Sequence, residues 1–242
     1  MSGYSPNKKY NLFEILQKAD EGDLEAMETA VMVMVAERYL DDNEDSDVSE
    51  RYVSYLRTLA ESGMGSAYIM LADNYLRGRG VPKDPQEAMR CYEKAVETGI
   101  SFGNECIGMM FYEGKDVPAN YEKAFEYFHK NEEKKSFCTV YSLGEMYRLG
   151  LYVEKNEEKA CEYYNEIVYG DDNFKEMDDY YWRACYRLAQ AMHYGKGIDK
   201  NIETALDLIT KAKKQHHAYA TDITLDELNE EWVAINQDAG KF

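Results

Sequence analysis

The chain repeats one pattern of helical residues four times, and this repetition constrains its fold more than any other feature. The first copy runs from Leu71 to Ala95 and has the features of a helix, a glycine-containing turn and a second helix. Matching copies run from Ile107 to Asn131, from Leu143 to Ile167 and from Leu188 to Ala212. Repeated hairpins of this kind stack on their neighbours and bury a continuous core between them. The sequence therefore predicts an all-α solenoid built from antiparallel helix pairs.

Four kinds of residue recur at fixed positions in the copies. A glycine that can adopt the left-handed conformation ends the first helix, at Gly78, Gly114, Gly150 and Gly195. An Asp or Asn is the predicted cap of the second helix, at Asp84, Asn120, Asn156 and Asn201. Small residues let the two helices approach, at Ala72, Gly108, Gly144 and Ala189 on the first helix and at Ala88, Ala124, Ala160 and Ala205 on the second. Large residues fill the core, at Tyr92, Phe128, Tyr164 and Ile209.

The segments that flank the four copies are less regular. We predict three regions: N-terminal helices with one degenerate repeat over 1–63, four repeats over 64–217, and a capping helix within 218–242. The predicted repeats are 64–100, 101–137, 138–180 and 181–217, and the third carries an insert between Gly170 and Tyr180. Ser49 is a predicted N-cap for a helix from about 50 to 61. Thr224 and Glu227 are spaced as a capping box for the closing helix.

The charge balance is strongly acidic, with 28 Lys and Arg against 46 Asp and Glu and a formal net charge of −18. Such a surface repels nucleic-acid phosphates, so no nucleic-acid partner is expected. It favours solubility and, as an interaction surface, a basic protein or peptide. The N-terminal segment lacks the apolar stretch of a secretory signal, and no run approaches the roughly 18 apolar residues of a membrane helix. The expected location is the cytoplasm, without membrane insertion.

The sequence contains no pattern that points to catalysis or metal binding. The cysteines have no close pair and are predicted to be small buried side chains; they are Cys91, Cys106, Cys138, Cys161 and Cys185. The histidines form no HExxH or nucleophile–base pattern; they are His129, His193, His216 and His217. The acidic loop from Asp41 to Asp47 has Ser46 where a calcium loop has glycine and Tyr52 where it has glutamate. We predict no catalytic residue, no metal and no cofactor.

The turns carry a resemblance to a known family. RGRGV at Arg77 to Val81 and GKGI at Gly195 to Ile198, with the phased Leu, Gly, Tyr and Ala positions, resemble the Sel-one-like repeat, a relative of the tetratricopeptide repeat. The resemblance covers Gly63 to about His217, although Asp116 and Tyr152 replace the second glycine of the turn in two copies. It implies a right-handed superhelix whose first helices line a concave surface. It also implies an interaction scaffold more often than an enzyme, and the paired cysteines of the β-lactam-binding branch are missing.

First-helix residues that are not used in the hairpin core form the candidate partner-binding face. They mix Tyr, Met, Arg and acidic side chains, and the first three are favoured at protein interfaces. The candidates are Ile69, Asp73, Leu76 and Arg77; Glu105, Met109, Tyr112 and Glu113; Tyr141, Glu145, Arg148 and Leu149; and Tyr186, Gln190, His193 and Tyr194. The alternative is that the tyrosines pack between neighbouring repeats.

Three functions are compatible with these features. The first is a non-catalytic scaffold or adaptor that binds a protein or peptide in the concave groove. The second is an immunity-type inhibitor that masks a basic toxin or effector, which the net charge of −18 would suit. The third, a hydrolase of the cysteine-rich branch, is disfavoured because this chain lacks that cysteine pairing.

Overall fold

The computed structural model describes residues 12–36, 46–130, 136–170, 179–215 and 223–241. Within these ranges there are twelve α-helices and no strand. They are α1 (Leu12–Asp20), α2 (Leu24–Ala36), α3 (Ser46–Glu61), α4 (Gly65–Arg77), α5 (Pro85–Glu97), α6 (Phe102–Glu113), α7 (Tyr121–Lys130), α8 (Phe137–Leu149), α9 (Glu157–Tyr169), α10 (Asp179–Tyr194), α11 (Ile202–Gln215) and α12 (Leu225–Asp238). The predicted all-α repeat fold is confirmed.

The chain divides into two compact units, residues 1–120 and 121–242, and the division falls between α6 and α7 of the second copy. In the first unit each helix from α1 to α6 packs on the next one. In the second unit each helix from α7 to α12 does the same, and in addition α10 contacts both α8 and α12. The first helices of neighbouring copies therefore meet directly in the second unit. The region boundaries predicted from the sequence stay a prediction.

Each hairpin turn is closed by the same set of backbone interactions. The predicted helix-ending glycines have φ between +65° and +71°. Side-chain oxygens of Asp84, Asn156 and Asn201 accept hydrogen bonds from backbone N–H groups in the first turn of the following helix. In all four copies the backbone N–H of the capping position donates to a carbonyl nine residues earlier at 2.9 Å; the acceptors are Tyr75, Phe111, Tyr147 and Met192. The helix-ending role of the four glycines and the capping roles of Asp84, Asn156 and Asn201 are thus confirmed. The closing hydrogen bond is an addition from the structure.

The predicted core positions are buried in every copy. The four second-helix alanines are at most 1% exposed, and the four large residues are at most 6% exposed. A Cβ atom built on Gly144 would lie 2.7 Å from the ring of Tyr164. The small side chain at this position is therefore required by the close approach of the second helix.

The flanking helices confirm one prediction and correct another. Thr224 and Glu227 form the predicted capping box at the start of α12. Ser49 does not cap α3, because that helix begins at Ser46 and includes Ser49 in its first turns. Asp47 lies in the first turn of α3, where a negative charge is favoured by the helix dipole. The loop from Asp41 to Asp45, most of the insert after Gly170 and the pair His216–His217 lie outside the described residues.

The second glycine of the turn allows a close approach between copies. Gly80 and Gly197 have φ of +66° and +71°. A Cβ on Gly80 would lie 2.3 Å from the carbonyl oxygen of Ser49, and one on Gly197 would lie 2.2 Å from the carbonyl carbon of Glu157. In both cases the turn touches the start of the helix that ends the preceding repeat. The glycine is therefore needed for inter-repeat packing as well as for the turn.

In the two copies that lack this glycine, the residue at the same position contacts the preceding repeat through its side chain. The backbone of Asp116 does not adopt the left-handed conformation, and its carboxylate pairs with Lys83 at 2.7 Å. Tyr152 keeps the left-handed conformation with φ of +67°, and its ring lies 5.7 Å from that of Phe125. Among the described residues outside glycine, Tyr152 alone has positive φ, so this turn stores backbone strain.

We expect Tyr152→Gly to be more stable than Tyr152→Ala by about 1 kcal/mol. Both changes remove the contact with Phe125, so the difference isolates the cost of a Cβ atom in the left-handed conformation. Urea denaturation followed by circular dichroism measures it. Glu154, whose φ is negative, serves as the control position, where alanine should be the more stable of the two because glycine gains more entropy on unfolding. Equal stability of the two variants at 152 would contradict the strain.

Candidate partner-binding cleft

The predicted face of the first unit lies on α4 and α6 and is only partly accessible. Arg77 and Glu113 are exposed, whereas Glu105 is 6% exposed. The other five residues are half-buried; they are Ile69, Asp73, Leu76, Met109 and Tyr112. Arg77 Nε donates to Asp73 Oδ1 at 2.7 Å across one helical turn. The structure thus brings Asp73 and Arg77 together on the face of α4.

In the second unit the structure gathers several predicted residues around one cleft of about 430 Å³. Its predicted members are Arg148, Leu149, Tyr186, Gln190 and Tyr194. The remaining lining residues are Lys155, Glu157, Ala160, Cys161, Tyr164, Arg187, Ala191, Lys196 and Glu227. The walls therefore come from α8, α9 and α10 and the turns that follow α8 and α10, with α12 contributing one side chain.

Four predicted residues of the second unit are buried. Tyr141 and Tyr186 are 4% exposed, Glu145 is 6% and His193 is 3% exposed. The ring centroid of Tyr141 lies 5.8 Å from that of Tyr164 and 5.5 Å from that of Tyr180. The burial of Tyr141 and Tyr186 favours the alternative that these tyrosines pack between neighbouring repeats. Tyr194, in contrast, is 53% exposed at the cleft.

Beneath the cleft, Glu145 holds two arginines together. Arg148 donates to both Glu145 oxygens, at 2.8 and 2.7 Å. Arg187, which lies in the next copy, also donates to both, at 3.0 and 3.2 Å. The hydroxyl of Tyr164 donates to Oε1 at 2.6 Å. This buried carboxylate therefore links α8, α9 and α10 through charge-assisted hydrogen bonds.

The network sets the ionisation of its members. Burial alone would raise the pKa of Glu145, but the hydrogen bond from Arg148 and the charges of Arg187 and Arg148 hold that pKa below its ordinary value. Burial and the neighbouring Glu145 raise the pKa of Tyr164 well above its ordinary value. Glu145 is consequently a stable anion and Tyr164 a neutral donor at neutral pH. The pKa of Glu145 is thus far below 7 and that of Tyr164 far above 7, whereas an efficient general base at neutral pH has a pKa near 7.

A second buried network joins α10 to the closing helix. His193 Nδ1 lies 2.7 Å from Glu231 Oε1, and its Nε2 lies 3.3 Å from Asp238 Oδ2. Gln190 donates to Glu231 at 3.3 Å, as does Tyr194 at 3.4 Å. The His193 and Glu231 side chains are 4% and 8% exposed. His193, predicted for the binding face, thus has a structural contact with α12.

Sequence reasoning missed Arg187, Lys155 and Lys196. Arg187 follows the predicted Tyr186, but its partner Glu145 is 42 residues earlier, and no spacing rule connects them. Lys155 and Lys196 lie in the turns between the two helices of a copy, for which the sequence predicts a structural role only. Their common signal is a basic residue in the turns of an acidic chain.

The described residues contain no group of three or more His, Cys, Asp or Glu side chains that could hold a metal ion. No helix in the described ranges is long and apolar enough to cross a membrane. Cys91, Cys161 and Cys185 are buried, and Cys106 and Cys138 are half-buried. The predicted burial is confirmed for the first three cysteines and is wrong for Cys106 and Cys138, which are partly accessible.

Solved structures share this fold. The chain is similar to a Sel1 repeat protein from Oxalobacter formigenes, with 20% identity and a TM-score of 0.60 over 96% of this chain and 61% of that one. It is also similar to a protective antigen of uropathogenic Escherichia coli strains that displays an SLR fold, with 20% identity and a TM-score of 0.61 over 96% and 57% of the two chains. At this identity the likeness shows the fold alone. The chain spans less than two thirds of either protein.

Two other comparisons add little about function. An immunity protein from Pseudomonas aeruginosa is 19% identical over 89% of this chain and 83% of that one, with a TM-score of 0.46 that is too low to carry an argument. A comparison with curated proteins gives no match.

A sequence model of the Sel1 repeat matches residues 65–99, 107–130, 140–167 and 182–217. The matched segments cover slightly more than half of the chain, and each lies within one of the four predicted repeats, 64–100, 101–137, 138–180 and 181–217. The resemblance predicted from the turns and the phased small residues is therefore confirmed. The repeated pattern, the stacked helix pairs and this match together establish that the chain belongs to the Sel1 repeat family.

Proposed function

We propose that this chain is a non-catalytic interaction scaffold or adaptor that binds a segment of a partner protein in the cleft of the second unit. Sel1 repeats are generally protein-interaction modules. The observation that carries the proposal is the cleft itself, where Tyr194 and Leu149 are 53% and 48% exposed beside Arg148 and Gln190. Exposed aromatic and aliphatic side chains next to hydrogen-bond donors are the usual composition of a peptide-binding surface.

The wider predicted face belongs to the same proposal. Arg77 and Glu113 are exposed in the first unit, and the half-buried Leu76, Met109 and Tyr112 accompany them. These residues would form a candidate contact surface of the first unit, considered by itself. Glu105 is buried in the first unit, and Tyr141, Glu145, Tyr186 and His193 are buried in the second.

Selection from a displayed library of random peptides against the full chain tests this function. We expect the selected peptides to compete with one another, with Kd values of about 1–100 µM. The double variant Leu149→Ala, Tyr194→Ala should weaken binding at least about tenfold, which corresponds to about 1.4 kcal/mol. Tyr169→Ala is the matched control, because Tyr169 is 54% exposed on α9 outside the cleft lining. Peptides that bind both variants equally would contradict a cleft-based function.

The second candidate is an inhibitor that masks a basic toxin or effector, and the net charge of −18 favours it. A partner of opposite charge would associate rapidly, and the association would slow as salt is added. Affinity capture from the source cells distinguishes the two functions. An inhibitor should retain one basic partner with a nanomolar Kd, whereas a scaffold should retain several partners with weaker Kd values.

A further inference from the structure

The cleft of the second unit has a charge balance opposite to that of the whole chain. The chain has 46 acidic and 28 basic residues, but the cleft is lined by four basic and two acidic side chains. The basic ones are Arg148, Lys155, Arg187 and Lys196, and the acidic ones are Glu157 and Glu227. The net charge therefore does not predict the charge of a ligand that enters this cleft.

Both acidic lining residues are committed to internal contacts. Glu157 forms an ion pair with Lys155, with 2.9 Å between Oε1 and Nζ. Glu227 accepts from the backbone N–H of Thr224 at 2.7 Å and from its hydroxyl at 2.8 Å. Glu227 thus completes the capping box of α12. The charge of Arg187 acts on Glu227, but neither Glu157 nor Glu227 forms an ion pair with Arg148 or Lys196 among the described residues.

Glu145 cannot satisfy the two arginines that it holds. Its two oxygens accept five hydrogen bonds, two from Arg148, two from Arg187 and one from Tyr164. A carboxylate offers about four lone-pair sites, and each guanidinium has five N–H donors. Arg148 donates two of its five to Glu145 and is 28% exposed at the cleft, while Arg187 is 14% exposed. One buried anion is therefore saturated beneath two cations that border the cleft.

The remaining cation lies at the rim of the cleft. Lys196 is exposed in the turn after α10, and its Nζ is 5.5 Å from the ring centroid of Tyr194. Cys161 and Ala191 add small apolar side chains to the lining. A ligand that presents carboxylates next to apolar or aromatic groups would match both the basic and the apolar side chains of the lining.

We infer that the cleft binds an acidic segment of the partner, with side-chain carboxylates received by Arg148 and Lys196, an inference that rests on the proposed function. Carboxylates match the donor geometry of arginine. A ligand carboxylate would also add negative charge next to two arginines that share the single charge of Glu145. The field of the whole chain opposes this preference, so a preference for acidic peptides has to arise from the cleft itself.

Fluorescence anisotropy with the full chain tests the inference. Three capped, fluorescein-labelled peptides share one Gly, Ser and Tyr framework and carry either Glu, Gln or Lys at the same positions. We expect the Glu peptide to bind at least about tenfold tighter than the Gln peptide. Salt screens both the attraction within the cleft and the repulsion by the whole chain, so the three peptides are compared at the same NaCl concentration, about 200 mM.

Lys196→Glu should lower the affinity for the Glu peptide about fivefold to tenfold and leave the fold intact, because Lys196 is exposed. Lys214→Glu is the matched control, with the same charge change at an exposed residue of α11 outside the cleft lining. This control should alter the affinity less than about twofold at 200 mM NaCl. Equal weakening by both variants would show a field effect and overturn the inference.

The two levels of the proposal fail in different ways. Equal binding of the Glu and Gln peptides, or tighter binding of the Lys peptide, would overturn the acidic preference. If library peptides still depend on Leu149 and Tyr194 in that case, the scaffold function stands. If no selected peptide depends on those two residues, the scaffold function falls and the acidic inference falls with it.

Discussion

Glu145→Ala is expected to lower the free energy of unfolding by about 3–5 kcal/mol, since it leaves two partly buried arginines without their shared anion. The side chain of Glu145 is 7% exposed, and those of Arg148 and Arg187 are 28% and 14% exposed. The loss also removes the acceptor of the Tyr164 hydroxyl, a bond of 2.6 Å. Urea denaturation at pH 7, followed by circular dichroism, measures the change.

Glu162→Ala is the control for this variant, because Glu162 is exposed on α9. Its substitution should change the stability by no more than about 0.5 kcal/mol. A cost below about 1 kcal/mol for Glu145→Ala would be typical of ion pairs on the protein surface. It would contradict a structural role for the network of Glu145, Arg148 and Arg187.

The effect of Glu145→Ala should depend on pH. The folded state lowers the pKa of Glu145, so the carboxylate stabilises the fold fully above its unfolded-state pKa of about 4.3. That contribution is lost as the pH falls from this value through the lower pKa of the folded state. The stability difference between the natural chain and Glu145→Ala should therefore shrink below about pH 4. A difference that stays constant in acid would show that the cost comes from lost packing.

Gly197→Ala is expected to cost at least about 3 kcal/mol, of which only about 1–2 kcal/mol comes from the left-handed backbone. The rest follows from the backbone of Glu157, which an added Cβ would approach to 2.2 Å. Backbone atoms at the start of α9 cannot move without disturbing the packing between copies. Thermal and urea unfolding of the purified variant measure the cost.

Gly195→Ala separates the two contributions within the same turn. Gly195 has φ of +66°, close to the +71° of Gly197. A Cβ atom added to Gly195 would lie 3.5 Å from the side chain of Lys200, an ordinary van der Waals distance. We expect this variant to cost about 1–2 kcal/mol, the backbone part alone. Equal costs at 195 and 197 would show that the approach between copies does not limit the residue at 197.

The hairpin itself could be predicted from the sequence in detail. Gly78 ends α4 and Asp84 caps α5 as expected, and Ala88 and Tyr92 are buried. Each of these roles depends on residues within one copy, where helix geometry and chain sterics determine which side chains fit. Four copies in the same phase then predict the repeat fold. Ser49 was placed wrongly because the degenerate first repeat offers no second copy with which to compare it.

The candidate site could be predicted only in part. The helical phase identified Arg148, Gln190 and Tyr194 as first-helix residues near one another, and the structure places all three at the cleft. It also selected Tyr141 and His193, which are buried. Phase gives the direction of a side chain from its own helix, but it does not give the helix that covers it. The closing helix α12 places Glu231 2.7 Å from His193, whereas the rings of Tyr164 and Tyr180 pack against Tyr141.

The sequence by itself determined the repeated hairpin, its turns, its caps and its family, because these follow from local conformational preferences that recur at fixed spacing. Only the tertiary structure decided which residues of neighbouring copies meet. Glu145 and Arg187 are 42 residues apart and bind through both carboxylate oxygens, and Gly197 touches the backbone of Glu157. Such contacts depend on the register in which one hairpin packs on the next. That register places four basic side chains around a cleft in an acidic protein. Net charge alone would have suggested a basic ligand, whereas the lining of the cleft favours an acidic one.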